Sequence, residues 1–300
     1  MSDKAVSPLE IADDSTGAVS VVLKDSNALT AGEKAAGIQK NGTADGTLTI
    51  SGSGALTAQG GKYGAGIGSG YEKAGSNISI SGGTVIAQGG NQGAGIGGGK
   101  SGAGNNIDIS GGTVIATATA GDDGATGAGI GGGYAGMGNN ITISGGTVTA
   151  TSTATGEYGC AGAGIGGGYA CMGIGIIISG GTVTALSTAD NASCEGYGIG
   201  SGCSTGISGS EIYGGNIKAS RLSGVLGKDG DELHEAYLAR ADLLLLAGKN
   251  AVVGNPVLQT YNKKTGETKT LSYNLKDVCT MEDGYLSVSY THLRAHETRR

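Results

Sequence analysis

Short segments in which hydrophobic and polar residues alternate recur along the chain. One has the form N-I-x-I, as at 106–109, and another the form T-V-x-A, as at 147–150. Alternation at a period of two predicts a β-strand with one face turned inward. The S-G-G between the two segments predicts a tight turn, because Gly readily adopts the positive φ that such a corner needs.

A third segment, the heptapeptide G-A-G-I-G-G/S-G, recurs together with the two strands. It starts at Gly64, Gly93, Gly127 and Gly162, and a relaxed copy starts at Gly196, so the intervals are 29, 34, 35 and 34 residues. Three short strands and three turns in such a unit match one coil of a parallel β-helix, whose coils stack at about 4.8 Å. The sequence therefore predicts an all-β fold: a parallel β-helix (solenoid) of about six to seven coils, followed by a small β module.

Stacking of the coils predicts ladders of equivalent residues. Three ladders should point inward and one, made of Thr, outward. A fifth ladder, made of Asn, should lie at a corner and stop where Gly175 replaces Asn. The inward ladders are Ile80, Ile109, Ile143 and Ile178; Val85, Val114, Val148 and Val183; and Ala87, Ala116, Ala150 and Ala185. The outward ladder is Thr84, Thr113, Thr147 and Thr182, and the corner ladder is Asn77, Asn106 and Asn140.

The repeat pattern predicts that the chain is divided into four regions. Residues 1–18 form an N-terminal lead-in, 19–219 the β-helix array, and 220–288 a small β-rich module, predicted to be truncated. Within that module the segments 257–261 and 269–273 predict a hairpin, whereas 232–246 fits a helix by propensity and strands by its flanking pattern. The extra residues of the longer units, such as 117–126, should form a row of loops on one edge. Residues 289–300, SYTHLRAHETRR, resemble a translated sequencing-adapter tail, which implies a non-native segment.

Composition and charge narrow the function classes. Gly makes up 64 of 300 residues, and the chain has no Phe or Trp. The Gly content excludes a helical bundle, because each Gly costs a helix about 1 kcal/mol relative to Ala. The net charge of −6 with no basic stripe argues against a nucleic-acid partner. No apolar run reaches the ~18 residues of a membrane helix, so membrane insertion is not expected. The N-terminus lacks the apolar core of a signal peptide, which predicts either a cytosolic protein or a fragment without its export signal.

No pattern of catalytic, cofactor-binding or metal-binding residues emerges. A calcium roll needs Asp within its Gly-rich turns, and these turns contain none. The acids of the array do not recur at equivalent positions and are interpreted as solvated loop residues. They are Asp108, Asp122, Asp123, Glu157, Asp190 and Glu195. The protein is therefore expected not to be an enzyme and to need no cofactor or metal.

Two groups of side chains remain as candidate sites. Tyr residues cluster around the Gly-rich corners, where they could stack on sugar rings or shield the edge of the coil. They are Tyr63, Tyr71, Tyr134, Tyr169 and Tyr197. Cys160 and Cys194 share one repeat position, which fits either a disulfide or two small buried thiols. Cys171 and Cys203 form a weaker candidate pair, and Cys279 is left over. A disulfide would indicate export.

The array from Val19 to Ala219 resembles the G-A-G-I-G-G-G … I-T-I-S-G-G-T-V-T-A repeats of bacterial, Firmicutes-type, adhesin-like cell-surface proteins. It is also distantly similar to β-helical carbohydrate-binding domains. These resemblances imply secretion, a larger parent polypeptide, and adhesion or glycan binding. The predicted function is thus a non-catalytic, structural or adhesive repeat domain, extracellular or at the cell surface, with a polysaccharide or a host or cell-surface glycan as partner. A dedicated carbohydrate-binding module and a passive spacer stalk are the alternatives.

Overall fold

Three parallel sheets form the body of the protein. The computed structural model describes residues 6–13, 16–42, 46–121, 124–157, 159–191, 194–203, 210–212 and 215–220, and after these the backbone of six further strands. In the described residues each of the three sheets holds a run of seven parallel strands, one strand from each coil. The predicted parallel β-helix is confirmed, with seven coils in this run.

The strands succeed one another in fixed order, first sheet, second sheet, third sheet, around every coil. The first sheet contains β1 (Leu9–Ile11), β4 (Ile38–Lys40), β7 (Ile67–Gly68), β10 (Ile96–Gly97), β13 (Ile130–Gly131), β16 (Ile165–Gly166) and β19 (Ile199–Gly200). The second contains β2 (Val19–Leu23), β5 (Leu48–Gly52), β8 (Gly75–Ile80), β11 (Gly104–Ile109), β14 (Gly138–Ile143), β17 (Gly173–Ile178) and β20 (Ser210–Ile212). The third contains β3 (Ser26–Thr30), β6 (Ala55–Gln59), β9 (Thr84–Asn91), β12 (Thr113–Thr119), β15 (Thr147–Ala154), β18 (Thr182–Ala189) and β21 (Asn216–Ala219).

The predicted inward ladders make up the core. Ile80, Ile109, Ile143 and Ile178 are fully buried, as are the members of the Val ladder and of the Ala ladder. The central Ile of each Gly-rich corner adds another ladder, since Ile96 pairs with Ile67 below and Ile130 above. The Thr ladder faces outward, half-buried at Thr84 and exposed at the three later positions. These ladders consist of aliphatic side chains, in line with the absence of Phe and Trp from the chain.

The predicted Asn ladder runs from coil to coil along the second-sheet strands β8, β11 and β14. The Asn106 side-chain amide donates to Asn77 Oδ1 at 2.9 Å, and the Asn140 amide donates to Asn106 Oδ1 at 3.2 Å. All three Asn adopt positive φ: 56° at Asn77, 52° at Asn106 and 53° at Asn140. Asn tolerates this left-handed region better than other non-Gly residues. At the next position Gly175 keeps the conformation, with φ 68°, and the ladder ends.

The S-G-G turn shows why Gly is needed at a second corner. Gly112 has φ 81°, and a Cβ atom added there would lie 2.6 Å from the carbonyl oxygen of Gly83 in the coil below. Both the backbone conformation and the close approach therefore exclude a side chain.

The longer units differ in part from the prediction. Residues 117–119 were expected to lie in a loop, but β12 continues through them, and β15 and β18 each continue four residues past T-V-x-A. Residues 117–119 continue the strand because they keep the alternation of buried and outward-facing side chains, as at Ala118 and Thr119. A connection back to the first sheet follows.

Both ends of the array differ from the predicted boundaries. The lead-in 1–18 contributes β1, which pairs in parallel with β4, so the stacked coils begin before Val19. After residue 220, two of the sheets continue with strands of the C-terminal module, whose side chains lie outside the described residues. These strands are β22 (Val225–Asp229), β23 (Glu232–Tyr237), β24 (Val257–Asn262), β25 (Thr268–Ser272), β26 (Cys279–Glu282) and β27 (Tyr285–Ser289).

The module is consistent with the hairpin prediction. Strands β24 and β25 are antiparallel neighbours, with Val257 opposite Ser272. Residues 232–237 form a strand, so the helical alternative is wrong for them, and residues 238–246 lie outside the described residues.

The adapter-like tail is described only at its first residue, Ser289. Among the residues that the structure describes, no helix is long and apolar enough to cross a membrane.

The second coil carries polar residues at positions that are mostly Gly in later coils. Lys40 is 2% exposed, and its neighbours Gln39 and Asn41 are buried as well. The Asn41 side chain accepts a hydrogen bond from the Gly70 N–H at 3.0 Å, and the Gln39 amide donates to Glu10 at 2.9 Å. Burial lowers the pKa of Lys40 below its usual value, and the charge of Asp13 opposes this shift. The polar side chains thus end the Gly-rich stack at this side.

Candidate functional site

Each Gly-rich corner presents two side-chain positions beside its central Ile. The position four residues after the Ile holds Tyr71, Lys100, Tyr134, Tyr169 and Cys203 in successive coils. The position four residues before it holds Lys34, Tyr63, Gln92, Thr126, Ala161 and Glu195. These two positions therefore form neighbouring ladders along one corner of the β-helix.

Backbone hydrogen bonds fix the two ladders against each other. The Lys100 N–H donates to the Tyr63 carbonyl of the coil below at 2.8 Å, and the Tyr134 N–H donates likewise to the Gln92 carbonyl at 2.8 Å. The local backbone supports this, since Tyr63 adopts φ 75° and turns the chain into the heptapeptide. The side chains at this corner are consequently held at one-coil intervals.

Tyr and Lys side chains contact one another in a row along the corner. The rings of Tyr63 and Tyr71 have centroids 5.4 Å apart, and those of Tyr134 and Tyr169 lie 5.3 Å apart. Lys100 joins the two pairs, because its Nζ lies 4.8 Å from the Tyr63 ring centroid and 5.5 Å from that of Tyr134. Such contacts are cation–π interactions.

Two more cations complete the row. Lys34 Nζ lies 5.5 Å from the Tyr71 ring centroid, and Lys62 Nζ lies 5.3 Å from that of Tyr63. We call this row the Tyr–Lys strip. It consists of Lys34, Lys62, Tyr63, Tyr71, Lys100, Tyr134 and Tyr169.

The structure separates the five predicted Tyr residues. Tyr63, Tyr71, Tyr134 and Tyr169 are half-buried, so part of each ring faces solvent, whereas Lys34 and Lys62 are exposed. Tyr197 is 5% exposed, and its ring is not available at the surface, so the prediction of surface contact does not hold for it. It lies two residues before the central Ile199, at the repeat position that holds fully buried Ala in the preceding coils, Ala65, Ala94, Ala128 and Ala163.

Sequence reasoning missed the three Lys residues of the strip. Lys100 occupies the same repeat position as Tyr71 and Tyr134, and that alignment was the signal that could have found it. Glu72 is an acid at this corner. A hydrogen bond from the Tyr71 hydroxyl to Glu72, together with the Glu72 charge, raises the pKa of Tyr71.

The predicted neighbours Cys160 and Cys194 do lie one coil apart. The Ala161 N–H donates to the Cys194 carbonyl at 2.9 Å, and the two side chains are hydrogen-bonded thiols without a disulfide. Cys203 joins them, so that the three Sγ atoms lie within 4.8 Å of one another. The suggested pairing of Cys171 with Cys203 is not formed, and Cys279 has no described side chain.

The acids of the array lie apart. Asp190 Oδ2 accepts a hydrogen bond from the Gly156 N–H at 2.7 Å, which ties two loops together. Asp108 lies on the outer face of β11, and Asp122 and Asp123 are outside the described residues. Within the part of the chain that the structure describes, the three-Cys group is the one cluster of His, Cys, Asp or Glu with metal-binding spacing.

Comparison with known families agrees with this architecture. The family model of the beta helix repeat matches residues 48–71, 78–100, 107–134, 141–169 and 176–203. Each match begins in a second-sheet strand and ends four residues after a central Ile, at the position occupied by Tyr71, Lys100, Tyr134, Tyr169 and Cys203. No curated protein and no solved structure matched the chain. Such repeats occur in enzymes and in non-enzymes, so the match shows the repeat and its fold.

Proposed function

We propose that this beta-helix repeat domain is a non-catalytic, extracellular adhesive module that binds glycan chains along the Tyr–Lys strip. The observation that carries the proposal is the continuity of the strip, with ring-to-ring distances of 5.3–5.4 Å linked by Lys100. Partly exposed aromatic rings stack on apolar faces and offer a hydroxyl at the edge. A row of them at coil intervals provides repeated contacts for a repetitive polymer.

The charges of the strip favour an anionic polysaccharide. Lys34, Lys62 and Lys100 provide three cations along it, against the carboxylate of Glu72 beside Tyr71. A glycan that carries uronate carboxylates or sulfates would pair with these ammonium groups, and its sugar rings would pack on the Tyr rings. The long Lys side chains can move off the ring faces while their charge stays in water.

The rigidity of the scaffold supports a binding role. The strip rests on backbone hydrogen bonds between coils, so the backbone positions that carry its side chains are fixed before a ligand arrives. Preorganisation of this kind lowers the entropic cost of binding. A passive spacer stalk needs the stacked coils alone, and the strip is the feature that distinguishes the two functions.

A sedimentation assay with polysaccharides tests the proposal. The full chain is incubated with insoluble beads carrying a polyuronate, a sulfated polysaccharide or a neutral glucan, at low and high salt. We expect binding to the anionic beads that falls as salt rises, because exposed charges are screened over about 8 Å at physiological ionic strength. Lack of binding to every glycan would contradict the adhesive function and leave the spacer function.

A further inference from the structure

Three of the five Cys residues meet at the end of the Tyr–Lys strip. Cys160 and Cys194 lie five residues before the central Ile of neighbouring coils, and Cys203 occupies the strip position after Tyr169. Their Sγ atoms lie within 4.8 Å of one another. Cys160 and Cys203 are buried, at 9% and 6% exposure, and Cys194 is half-buried.

The backbone holds these thiols together independently of any bond between them. The Ala161 N–H donates to the Cys194 carbonyl at 2.9 Å, and the Cys203 N–H donates to the Ala161 carbonyl at 3.0 Å. The residue next to Cys160 is thus bonded on both sides to the segments that carry the other two thiols. The cluster is built by the stacking of coils, and the three sulfur atoms converge without rearrangement of the fold.

We propose that Cys160, Cys194 and Cys203 form a binding site for one Zn²⁺ ion, with three thiolate ligands. Zn–S bonds of about 2.3 Å place tetrahedral sulfur ligands about 3.8 Å apart. The observed upper limit of 4.8 Å therefore needs only a small contraction of side chains. Binding replaces three S–H protons by one metal ion, and the protons pass to solvent.

The surroundings favour a divalent ion over Cu(I). Three thiolates leave a net charge of −1 with Zn²⁺ and −2 with Cu(I), and burial of the larger charge costs more. Zn²⁺ also takes a fourth ligand, and a water molecule would reach the ion from the side of Cys194, which is only half-buried. The site would therefore be open at one position.

A Cys160–Cys194 disulfide competes for the same atoms. It would use two of the ligands and leave Cys203 without a role, whereas a metal uses all three. The convergence of a third thiol is the observation that favours the metal.

Titration with Co²⁺ tests the site spectroscopically. The full chain, reduced and kept free of oxygen, is titrated with Co²⁺ and then with Zn²⁺ as competitor. We expect one Co²⁺ per chain with an intense thiolate-to-metal charge-transfer band, its displacement by Zn²⁺, and a higher unfolding temperature with Zn²⁺. Absence of the band in the reduced wild-type chain would overturn the proposal.

Matched variants assign the ligands. Cys203→Ser should weaken Co²⁺ binding by at least about tenfold, whereas Cys171→Ser and Cys279→Ser should bind like the wild type. Equal affinities of Cys203→Ser and Cys171→Ser would contradict the site. Because Cys203→Ser could impair folding, X-ray absorption on the Zn²⁺-loaded wild-type chain gives a second measurement. Three sulfur neighbours per Zn²⁺ support the site, and fewer than three overturn it.

Discussion

The side-chain amide of Asn106 donates to Asn77 Oδ1 at 2.9 Å, and Asn106 accepts in turn from Asn140 at 3.2 Å. Asn106 thus links three coils through side chains at a single corner. The same residue adopts φ 52°, a conformation that Asn tolerates and most other residues avoid. Its contribution to stability combines hydrogen bonding with backbone conformation.

Asn106→Ala should lower the free energy of unfolding by about 2 kcal/mol, because it removes two side-chain hydrogen bonds and leaves Ala at positive φ. Asn106→Gly removes the same hydrogen bonds without the conformational cost, so it should lose about 1 kcal/mol less. Denaturant unfolding followed by circular dichroism measures both. Equal stabilities of Asn106→Ala and the wild type would show that the ladder contributes nothing.

Gly175→Asn should stabilise the protein by about 1 kcal/mol. Gly175 already adopts φ 68°, and an Asn there could donate to Asn140 and extend the ladder by one coil. A Cβ at this position would lie 2.8 Å from Asn140 Oδ1, the end of a flexible side chain that can move aside. Gly175→Ala provides the control, since it adds the Cβ without the amide and should destabilise. A Gly175→Asn variant less stable than Gly175→Ala would refute the explanation.

Lys40→Met should raise the unfolding free energy at pH 7 by about 1 kcal/mol. Lys40 is 2% exposed, and its burial lowers its pKa in the folded protein, so protonation of the folded state costs free energy. The cost is full below the folded pKa and disappears as the pH rises through that pKa towards 10.5, the usual value of the unfolded chain. The substitution also removes the favourable charge interaction with Asp13, which is weak because Asp13 is exposed.

Thermal unfolding at several pH values measures this difference. The advantage of Lys40→Met over the wild type should shrink as the pH rises from 7 towards 10. The exposed Lys73→Met serves as control and should change the midpoint little. An advantage that stays constant with pH would show that the protonation of Lys40 is not its cause.

The repeated parts of the fold could be predicted from the sequence because each coil repeats the same physical pattern. Alternation placed Ile109 and Val114 inside, and the shared spacing placed Asn106 between Asn77 and Asn140. The start of the array at β1 was missed, because one short strand shows no repeat of its own and is recognised only by its pairing with β4. Propensity likewise could not decide between helix and strand for residues 232–237.

The candidate sites were less predictable because they depend on residues that depart from the repeat. Tyr197 also lies beside a Gly-rich corner, but it occupies a different repeat position from Tyr169, two residues before a central Ile, and is buried there. Lys100 substitutes for Tyr at a ladder position, and its role follows from its distances to the rings of Tyr63 and Tyr134. Cys203 comes near Cys160 and Cys194 although it occupies a different repeat position. The spacing of the repeats identifies residues at the same position in successive coils, and it does not show which different positions lie side by side.

The Tyr–Lys strip is the central claim about function, and its two Tyr pairs allow a direct test. Tyr134 and Tyr169 are half-buried with centroids 5.3 Å apart, so replacing both by Ala removes one end of the strip. Ile86 and Ile115 are exposed on the outer face of the third sheet, at 38% and 36%, and their double Ala variant is a matched control.

The decisive measurement is calorimetric titration of a soluble polyuronate into the wild-type chain and these two double variants. Tyr134→Ala/Tyr169→Ala should weaken binding by about tenfold or more, as aromatic anchors of an interface do, with the β-sheet circular dichroism unchanged. Ile86→Ala/Ile115→Ala should bind like the wild type. Equal affinities for all three proteins, or no binding by the wild type to this polymer or any other glycan, would contradict the account.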